Sequence, residues 1–233
     1  MKGSIYLIPN TLGGLNPKDT VPDKTLNLLA GISHFIVENE RTARRFLVKA
    51  GVRVNRLTFY PLNKHTPENE IKNYLTPAIE GNDMGLISEA GVPCVADPGS
   101  QIVLPAHNKG IRVIPLTGPS SVILALMASG LNGQNFAFNG YLPIKKKERR
   151  QSILNLEKRS KTLNQTQIFM ETPYRNMQLI EDLLSQCSSG TYLCIGCDIT
   201  LESEYIKTQT IDRWKKDVPD LNKRPAIFLI HRK

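Results

Sequence analysis

Two glycine-proline turns within residues 84–147 are the segments best suited to contact a small molecule. The first follows a short apolar run and holds Gly91 and Pro93. The second follows a predicted strand over 111–116 and reads Gly-Pro-Ser-Ser from Gly118. In open α/β sheets, ligands bind outside the carboxyl ends of strands, and glycine there lets the main chain approach a ligand closely. The two turns are therefore predicted to bind a small molecule.

Several common catalytic and phosphate-binding fingerprints are absent from the sequence. It has no Gly-x-Gly-x-x-Gly after the first predicted strand, no P-loop, no Gly-x-Ser-x-Gly and no His-Glu-x-x-His. Dinucleotide binding, P-loop chemistry, serine hydrolysis and zinc proteolysis therefore have no support.

The cysteines suggest structural thiols. Cys194 and Cys197 form a Cys-x-x-Cys, but they lie in a strand-like run, where a separation of three puts their side chains on opposite faces. No second pair completes a tetrahedral set, so no metal site is predicted.

Strands and helices alternate along the chain, which positions both turns at strand ends. Strands are predicted over 4–8, 34–37, 57–60, 85–88, 112–115, 136–141, 167–170, 192–198, 206–211 and 226–231. Helices are predicted over 24–29, 42–50, 68–80, 122–128, 150–158 and 177–186. This alternation indicates βαβ units and a largely parallel sheet. The pattern resets after the second turn, so we predict two α/β domains, 1–115 and 116–233.

Composition and charge favour a globular protein with an anionic partner. The 233 residues are 40% hydrophobic and carry a net charge of +9. No apolar run is long enough to cross a bilayer, so a cytoplasmic protein without membrane contact is expected. Three groups of basic residues stand out, and each is either a solvated helix face or a set of phosphate contacts. The groups are Lys145, Lys146, Lys147, Arg149 and Arg150; Arg41, Arg44 and Arg45; and Lys215, Lys216, Lys223 and Arg224.

Short motifs in order along nearly the whole chain resemble one family. SEAGVPCVADPG, LTGPSS, FNGYLPIKKKERR and METPYRN, with IYLIPNTLGG, ENERTARRFL and KRPAIFLI, resemble the motifs of the 2′-O-ribose methyltransferases of 16S ribosomal RNA. These enzymes are a branch of the tetrapyrrole methylase superfamily. The resemblance implies two unlike α/β domains with S-adenosylmethionine in the cleft between them, an RNA substrate and a homodimer.

The resemblance also assigns cofactor-binding residues. It places the methionine and ribose portions of S-adenosylmethionine against one loop, and the adenosine against two later segments. The residues carried over are Gly91, Val92, Pro93, Val95, Ser120, Ser121, Met170, Glu171, Pro225 and Ala226. Ser120 and Ser121 could equally cap the helix that follows them, and the two roles are compatible.

Substrate roles are assigned from the basic groups, and catalytic roles from the residues near the resembling motifs. Phosphate contacts are expected from Arg41, Arg44, Lys145, Lys146, Lys147 and Arg149. Methyl transfer to a ribose hydroxyl needs a group that accepts or relays one proton, and Glu38 and Glu89 are the candidate bases or hydroxyl orienters. Alternatively, these two carboxylates cap turns or pair with nearby arginines.

Some positions depart from the family pattern. Asn39 stands for an aspartate, Glu40 for a threonine and Glu89 for an aspartate, while the 10–14 loop reads Asn-Thr-Leu-Gly-Gly in place of Thr-Pro-Ile-Gly-Asn. The small C-terminal domain usual in this branch has no counterpart before Lys233. Two other functions stay open: a tetrapyrrole or small-molecule C-methyltransferase, and an RNA-binding paralogue without catalytic activity.

Overall fold

The computed structural model describes residues 1–14 and 16–233. These residues divide into two compact units, Met1–Ser120 and Ser121–Lys233. The division falls a few residues after the sequence-based boundary at 115/116. No helix in the described ranges has both the length and the apolar character needed to cross a membrane.

The first unit is a parallel sheet with helices between its strands. Its strands are β1 (Ser4–Ile8), β2 (His34–Val37), β3 (Thr58–Pro61), β4 (Met84–Ile87) and β5 (Arg112–Pro115). Its α-helices are α1 (Pro17–Thr20), α2 (Asp23–Leu29), α3 (Glu40–Lys49), α4 (Glu68–Ile71), α5 (Thr76–Ile79) and α6 (Ser100–Asn108). A 3-10 helix at Val54–Arg56 precedes β3. The strand order is β3-β2-β4-β1-β5, with every pairing parallel. The predicted strands and parallel arrangement are confirmed here.

The single helix predicted over 68–80 is wrong. The segment instead forms α4 and α5, with Pro77 in the first turn of α5. Proline lacks the N–H that a continuous helix needs, and its ring collides with the carbonyl four residues earlier. One helix therefore ends before Pro77 and another begins beside it.

The second unit holds a mixed sheet. Its elements are α7 (Ser121–Ser129), β6 (Phe136–Tyr141), α8 (Lys146–Leu163), β7 (Thr166–Glu171), α9 (Asn176–Gln186), β8 (Tyr192–Cys197), β9 (Tyr205–Thr210), α10 (Ile211–Trp214) and β10 (Ala226–His231). The order is β6-β7-β10-β8-β9; only β6 and β7 pair in parallel. Two α/β units are thus confirmed, while the parallel arrangement holds for the first sheet alone. Cys194 and Cys197 are buried free thiols in β8, as the strand interpretation requires.

Helix α8 begins four residues earlier than the sequence pattern indicates. The basic run therefore lies at the start of this helix, with Lys145 as the N-cap residue and the others inside the helix. Ile153, Leu156 and Ser160 are buried along one face of α8, at the spacing of an amphipathic helix. The helix ends at Asn164, whose φ of 47° is the left-handed conformation that asparagine tolerates at a helix end.

Candidate active site

The carboxyl ends of three neighbouring strands bring polar side chains together in the first unit. Ile87 of β4 pairs with Val37 of β2 on one side and with Ile8 of β1 on the other. Because parallel strands end at the same edge, the residues that follow these three meet there. Glu38 and Ser88 consequently lie at one edge of the sheet.

Glu38 is the most strongly perturbed carboxylate at this edge. Burial, followed by the negative charges of Asp97 and Glu89, raises the pKa of Glu38 to about 7, although the main-chain N–H of Glu89 opposes the rise. A cavity of about 10 Å³, room for roughly one water, is lined by both Glu38 and Asp97. The structure therefore brings the predicted Glu38 and Glu89 together with a third acid.

Asp97 is that third acid, and the residue-by-residue reading of the sequence missed it. Its carboxylate accepts hydrogen bonds from the N–H of Cys94, at 2.9 Å, and from the N–H of Gly99, at 2.7 Å. It fixes a strained loop, since Cys94 and Ala96 both have positive φ values, 69° and 64°. Burial raises the pKa of Asp97 as well, although the hydrogen bonds from the N–H groups of Gly99 and Cys94 act to lower it. Its position within SEAGVPCVADPG was the signal that could have identified it.

Glu89 is more exposed than Glu38 and is already hydrogen-bonded. Its carboxylate accepts a hydrogen bond from the hydroxyl of Thr42 in the first turn of α3. Asn39 caps that helix, because its side-chain oxygen accepts from the N–H groups of Arg41 and Thr42. Asparagine and aspartate cap helices equally well, so Asn39 provides the same cap that the family's aspartate could form.

The loop that holds Gly91 is tied to the loop after β1. The N–H of Asn10 donates to the Gly91 carbonyl at 2.9 Å, and the Asn10 side chain donates to the carbonyls of Ser88 and Glu89. The Ser88 hydroxyl also donates to Gly91, at 2.9 Å. Asn10, which stands where the family pattern has threonine, is buried and braces the Gly91 loop.

Gly91 cannot be replaced without strain. Its φ of 68° is left-handed, and a Cβ there would lie 3.0 Å from Leu12 Cδ2 and 3.2 Å from the Pro119 carbonyl oxygen. Beside it, Pro93 is buried, Val92 is half-buried and Val95 is exposed. The loop therefore has a fixed main-chain shape.

Four cofactor-binding residues predicted in the second unit also lie together. In the pairing of β7 with β10, Glu171 is opposite Ala226, and Met170 is opposite Ile227. Pro225 directly precedes Ala226 and accepts a hydrogen bond from the N–H of Asp198 at 3.0 Å. The register thus places Met170, Glu171, Pro225 and Ala226 at the end of one strand pair.

Buried acceptor atoms at this strand end provide a test of ligand fit. Glu171 Oε1 accepts from the N–H of Thr172 and from Arg175, whereas its Oε2 is buried and has no hydrogen-bond partner among the described residues. Asn176 Oδ1 is also buried and has no hydrogen-bond partner among the described residues. Buried acceptors left unpaired are costly, so they suit hydroxyl or amine donors supplied by a ligand.

Ser120 and Ser121 lie at the start of α7, and both are half-buried. Gly118, in the same turn, leaves room for Pro9, because a Cβ at Gly118 would lie 2.2 Å from Pro9 Cγ. The capping and ligand-binding roles of the two serines stay predictions.

The basic residues of α8 divide into two groups. Lys145, Lys146 and Lys147 are exposed, with Lys145 and Glu148 3.3 Å apart in an exposed ion pair. Arg149 is different: it is 3% exposed, and its guanidinium lies 2.7 Å from Asp182. The structure contradicts the prediction that Arg149 contacts substrate phosphates, because its donors are buried and already paired.

Arg44 is likewise engaged within the first unit. It forms a 2.8 Å ion pair with Glu40, donates to the Val54 carbonyl at 3.1 Å and lies 4.4 Å from the centre of the Phe59 ring. Arg44 therefore braces α3 against the 3-10 segment, and its predicted phosphate contact stays a prediction. Arg41, by contrast, is exposed on α3.

The two α/β units and the perturbed carboxylates at a sheet edge are typical of an enzyme. Residues 23–214 match the family model described as Tetrapyrrole (Corrin/Porphyrin) Methylases, and the chain belongs to this family. It is a methyltransferase that uses S-adenosylmethionine as methyl donor.

Similar proteins carry related names. The chain is 29% identical to "Ribosomal RNA small subunit methyltransferase I" of Vibrio cholerae, over 97% of this chain and 76% of that protein. It is 32% identical to the protein of the same name from Halalkalibacterium halodurans, over 78% of this chain and 60% of that one.

Solved structures support the fold. The methyltransferase CobJ superposes with a TM-score of 0.66 at 17% identity, covering 99% of this chain and 94% of CobJ. Cobalt precorrin-4 methyltransferase CbiF gives a TM-score of 0.62 at 15% identity, covering 98% and 94%. At these identities the likeness concerns the fold alone.

Gly91→Ala is expected to weaken S-adenosylmethionine binding about 5- to 30-fold, as measured by calorimetry. An L-residue in the left-handed region costs about 1–2 kcal/mol, so the loop shifts away from its present shape. An exposed loop would tolerate such a change, but Gly91 is buried, so the melting temperature should fall as well. Gly133→Ala is the control, because a Cβ there meets nothing within 4 Å. Unchanged affinity in Gly91→Ala would show that the loop does not contact the cofactor.

Proposed function

We propose that the protein methylates the 2′-hydroxyl of a ribose in small-subunit ribosomal RNA. The observation that carries this proposal is Glu38, a half-buried carboxylate with a pKa of about 7, beside Asp97 and Glu89. The names of the relatives, the net charge of +9 and the motif resemblance support the RNA substrate. A homodimer and a cytoplasmic location, which the resemblance and sequence favour, belong to the same proposal.

Glu38 is the proposed general base. A ribose hydroxyl is a very weak acid, so its attack on a methyl group is helped by a base stronger than an ordinary carboxylate. Burial, together with the neighbouring negative charges of Asp97 and Glu89, makes Glu38 such a base, and a pKa of about 7 still leaves a large fraction deprotonated at neutral pH. Asp97 acts through Glu38 by raising its basicity, and Glu89 orients the hydroxyl.

S-adenosylmethionine supplies the electrophilic methyl group. In the first unit, the main chain of Gly91, Val92 and Pro93 would hold it, with Val95 exposed beside them. In the second unit, the unpaired Glu171 Oε2 would accept a hydrogen bond from it, next to Met170, Pro225 and Ala226. Ser120 and Ser121 would add hydroxyl contacts. The chain's part is to fix these groups before substrate arrives.

Lys145, Lys146, Lys147 and Arg41 are the proposed phosphate contacts. A lysine in the first turn of a helix faces the positive end of the helix dipole, which is an unfavourable place for a cation. Two exposed lysines in that turn and a third at the N-cap, beside a single Glu148, form a strongly positive surface that suits a polyanion.

Replacing Lys145, Lys146 and Lys147 with alanine is expected to flatten the salt dependence of RNA binding. Each contact to a single strand contributes a slope of about −0.7 on a log-log plot, so three lost contacts change it by about 2. The slope is measured by fluorescence anisotropy from low to moderate salt. The control is a triple change at Lys158, Arg159 and Lys161, which lie further along α8. Equal slopes for the two triple variants would contradict the phosphate role of the first turn.

The transfer reaction tests the proposed function as a whole. The protein is incubated with S-adenosylmethionine carrying a labelled methyl group and either unmethylated small ribosomal subunits or a reduced tetrapyrrole. Label in RNA from the ribosomal subunits is the expected result. Label in the tetrapyrrole alone would favour the small-molecule alternative, and binding of both ligands without transfer would favour the inactive paralogue.

A further inference from the structure

A groove of about 580 Å³ lies on the first unit, between the end of α3 and the 3-10 helix that leads into β3. Its lining residues are Val48, Val52, Arg53, Val54, Asn55 and Arg56. β3 is an edge strand of the sheet, and none of these residues belongs to the Glu38 site or to the cofactor loop. The groove has no role in the chemistry described above.

Arg44 holds the wall of this groove in place. Its guanidinium links Glu40 of α3 to the Val54 carbonyl and lies over the Phe59 ring of β3. A side chain with three such contacts joins the helix to the 3-10 segment, so the groove is formed before any ligand arrives.

The groove combines positive charge with exposed apolar surface. Arg53 and Arg56 are exposed, and neither forms a salt bridge within residues 1–14 and 16–233. Arg41, Arg45 and Lys49 lie on one face of α3 at intervals of four residues and add positive charge to the same helix, and Lys49 also donates a hydrogen bond to the Gly14 carbonyl at 3.0 Å. Glu40 is the nearby acid on α3, and it is paired with Arg44. Val48 is 57% exposed at the groove.

We infer that this groove binds a single-stranded segment of the RNA substrate; the inference rests on the proposed RNA methyltransferase function. Proteins recognise single-stranded RNA by pairing arginines with phosphates and by packing unstacked bases against apolar or planar side chains. Arg53 and Arg56 bind phosphates, and a base lies against Val48 and Val54. The exposed Asn55 amide, a donor and an acceptor, hydrogen-bonds the edge of that base.

The double variant Arg53→Ala/Arg56→Ala tests the groove. Two lost phosphate contacts should reduce the salt slope of RNA binding by about 1.4 and raise Kd roughly tenfold at 0.15 M salt. S-adenosylmethionine affinity should not change, because the groove is not part of that site. The matched control is Lys109→Ala/Arg112→Ala, which removes the same charge from the other edge of the same sheet, at and before β5.

The outcomes separate this inference from the function it rests on. If wild-type protein methylates RNA but the two double variants bind RNA equally well, the groove is not an RNA site and the proposed function stands. If wild-type protein neither binds nor methylates RNA, both fail.

Crosslinking provides a second test that needs no substitution. RNA containing 4-thiouridine is irradiated with wild-type protein, and the attached peptide is identified by mass spectrometry. Crosslinks within residues 45–56 are expected. Efficient crosslinking confined to other peptides would overturn the inference. Because this experiment uses wild-type protein, it decides the question even if the double variant fails to fold.

Discussion

Glu38→Gln should lower the single-turnover rate of RNA methylation by about a hundredfold to ten-thousandfold, the usual contribution of a positioned general base. Glutamine keeps the size of the side chain but cannot accept the proton. S-adenosylmethionine affinity should remain within a factor of about two, because Glu38 acts on the acceptor hydroxyl.

Glu89→Gln is the matched comparison for this variant. An amide oxygen still accepts the Thr42 hydrogen bond, so a residue that only orients the hydroxyl should lose much less activity. If both variants methylate RNA at the wild-type rate, proton removal belongs to another group or to water.

The pH dependence of the same reaction gives a further check on Glu38. Its carboxylate form is the base, and its pKa is about 7, so the wild-type single-turnover rate should rise through that pH and level off above it. Asp97→Asn removes a negative charge near Glu38, so it should move this inflection to lower pH while retaining activity above it. An unshifted inflection would exclude Asp97 as the residue that tunes the base.

Asp182→Ala should reduce the free energy of unfolding by about 3–5 kcal/mol, because it leaves the buried Arg149 without its counter-charge. Arg149 Nε and Arg150 Nε each lie 2.8 Å from Asp182, and both Arg149 and Asp182 are almost fully buried. Chemical denaturation at pH 7 measures the change. The exposed neighbour Glu181→Ala is the control and should stay within about 0.5 kcal/mol.

A charge-free replacement separates ion pairing from packing at this position. Arg149→Met/Asp182→Leu removes both buried charges and should recover most of the stability lost in Asp182→Ala.

Burial alone would raise the pKa of Asp182, but hydrogen bonds from Arg150 and Arg149 outweigh burial and lower it. The stabilisation that the ion pair gives the folded protein is therefore complete above the ordinary pKa of an aspartate. It disappears as the pH falls through the lowered pKa of Asp182. A loss below 1 kcal/mol in Asp182→Ala would contradict the structural role of Arg149.

The strands could be predicted well because their apolar runs are bounded by glycine, proline and polar residues. β1, β2, β5, β6 and β10 have the predicted ends. The antiparallel pairings of the second sheet could not be deduced, since strand alternation does not distinguish a returning strand from a parallel one. The break at Pro77 could have been anticipated from proline's missing N–H.

Individual site residues depended on three-dimensional features. Glu38 and Asp97 are far apart in sequence and meet because β2 and β4 are neighbours, which local patterns do not reveal. The sequence groups Arg149 with the lysines because they form one basic run, and charge along a sequence does not show which side chain is buried. With α8 beginning at Lys146, Arg149 joins Ile153 and Leu156 on the buried face at intervals of four and three residues.

The position of the transferred methyl group tests the central claim most directly. RNA from labelled small ribosomal subunits is digested to nucleosides, the glycosidic bonds are cleaved, and label is counted in the base and sugar fractions. The 2′-O proposal predicts that the label stays with the ribose and that the phosphodiester on its 3′ side resists alkali, because the 2′-hydroxyl is blocked. Label recovered with the base, together with normal alkaline cleavage, would contradict it.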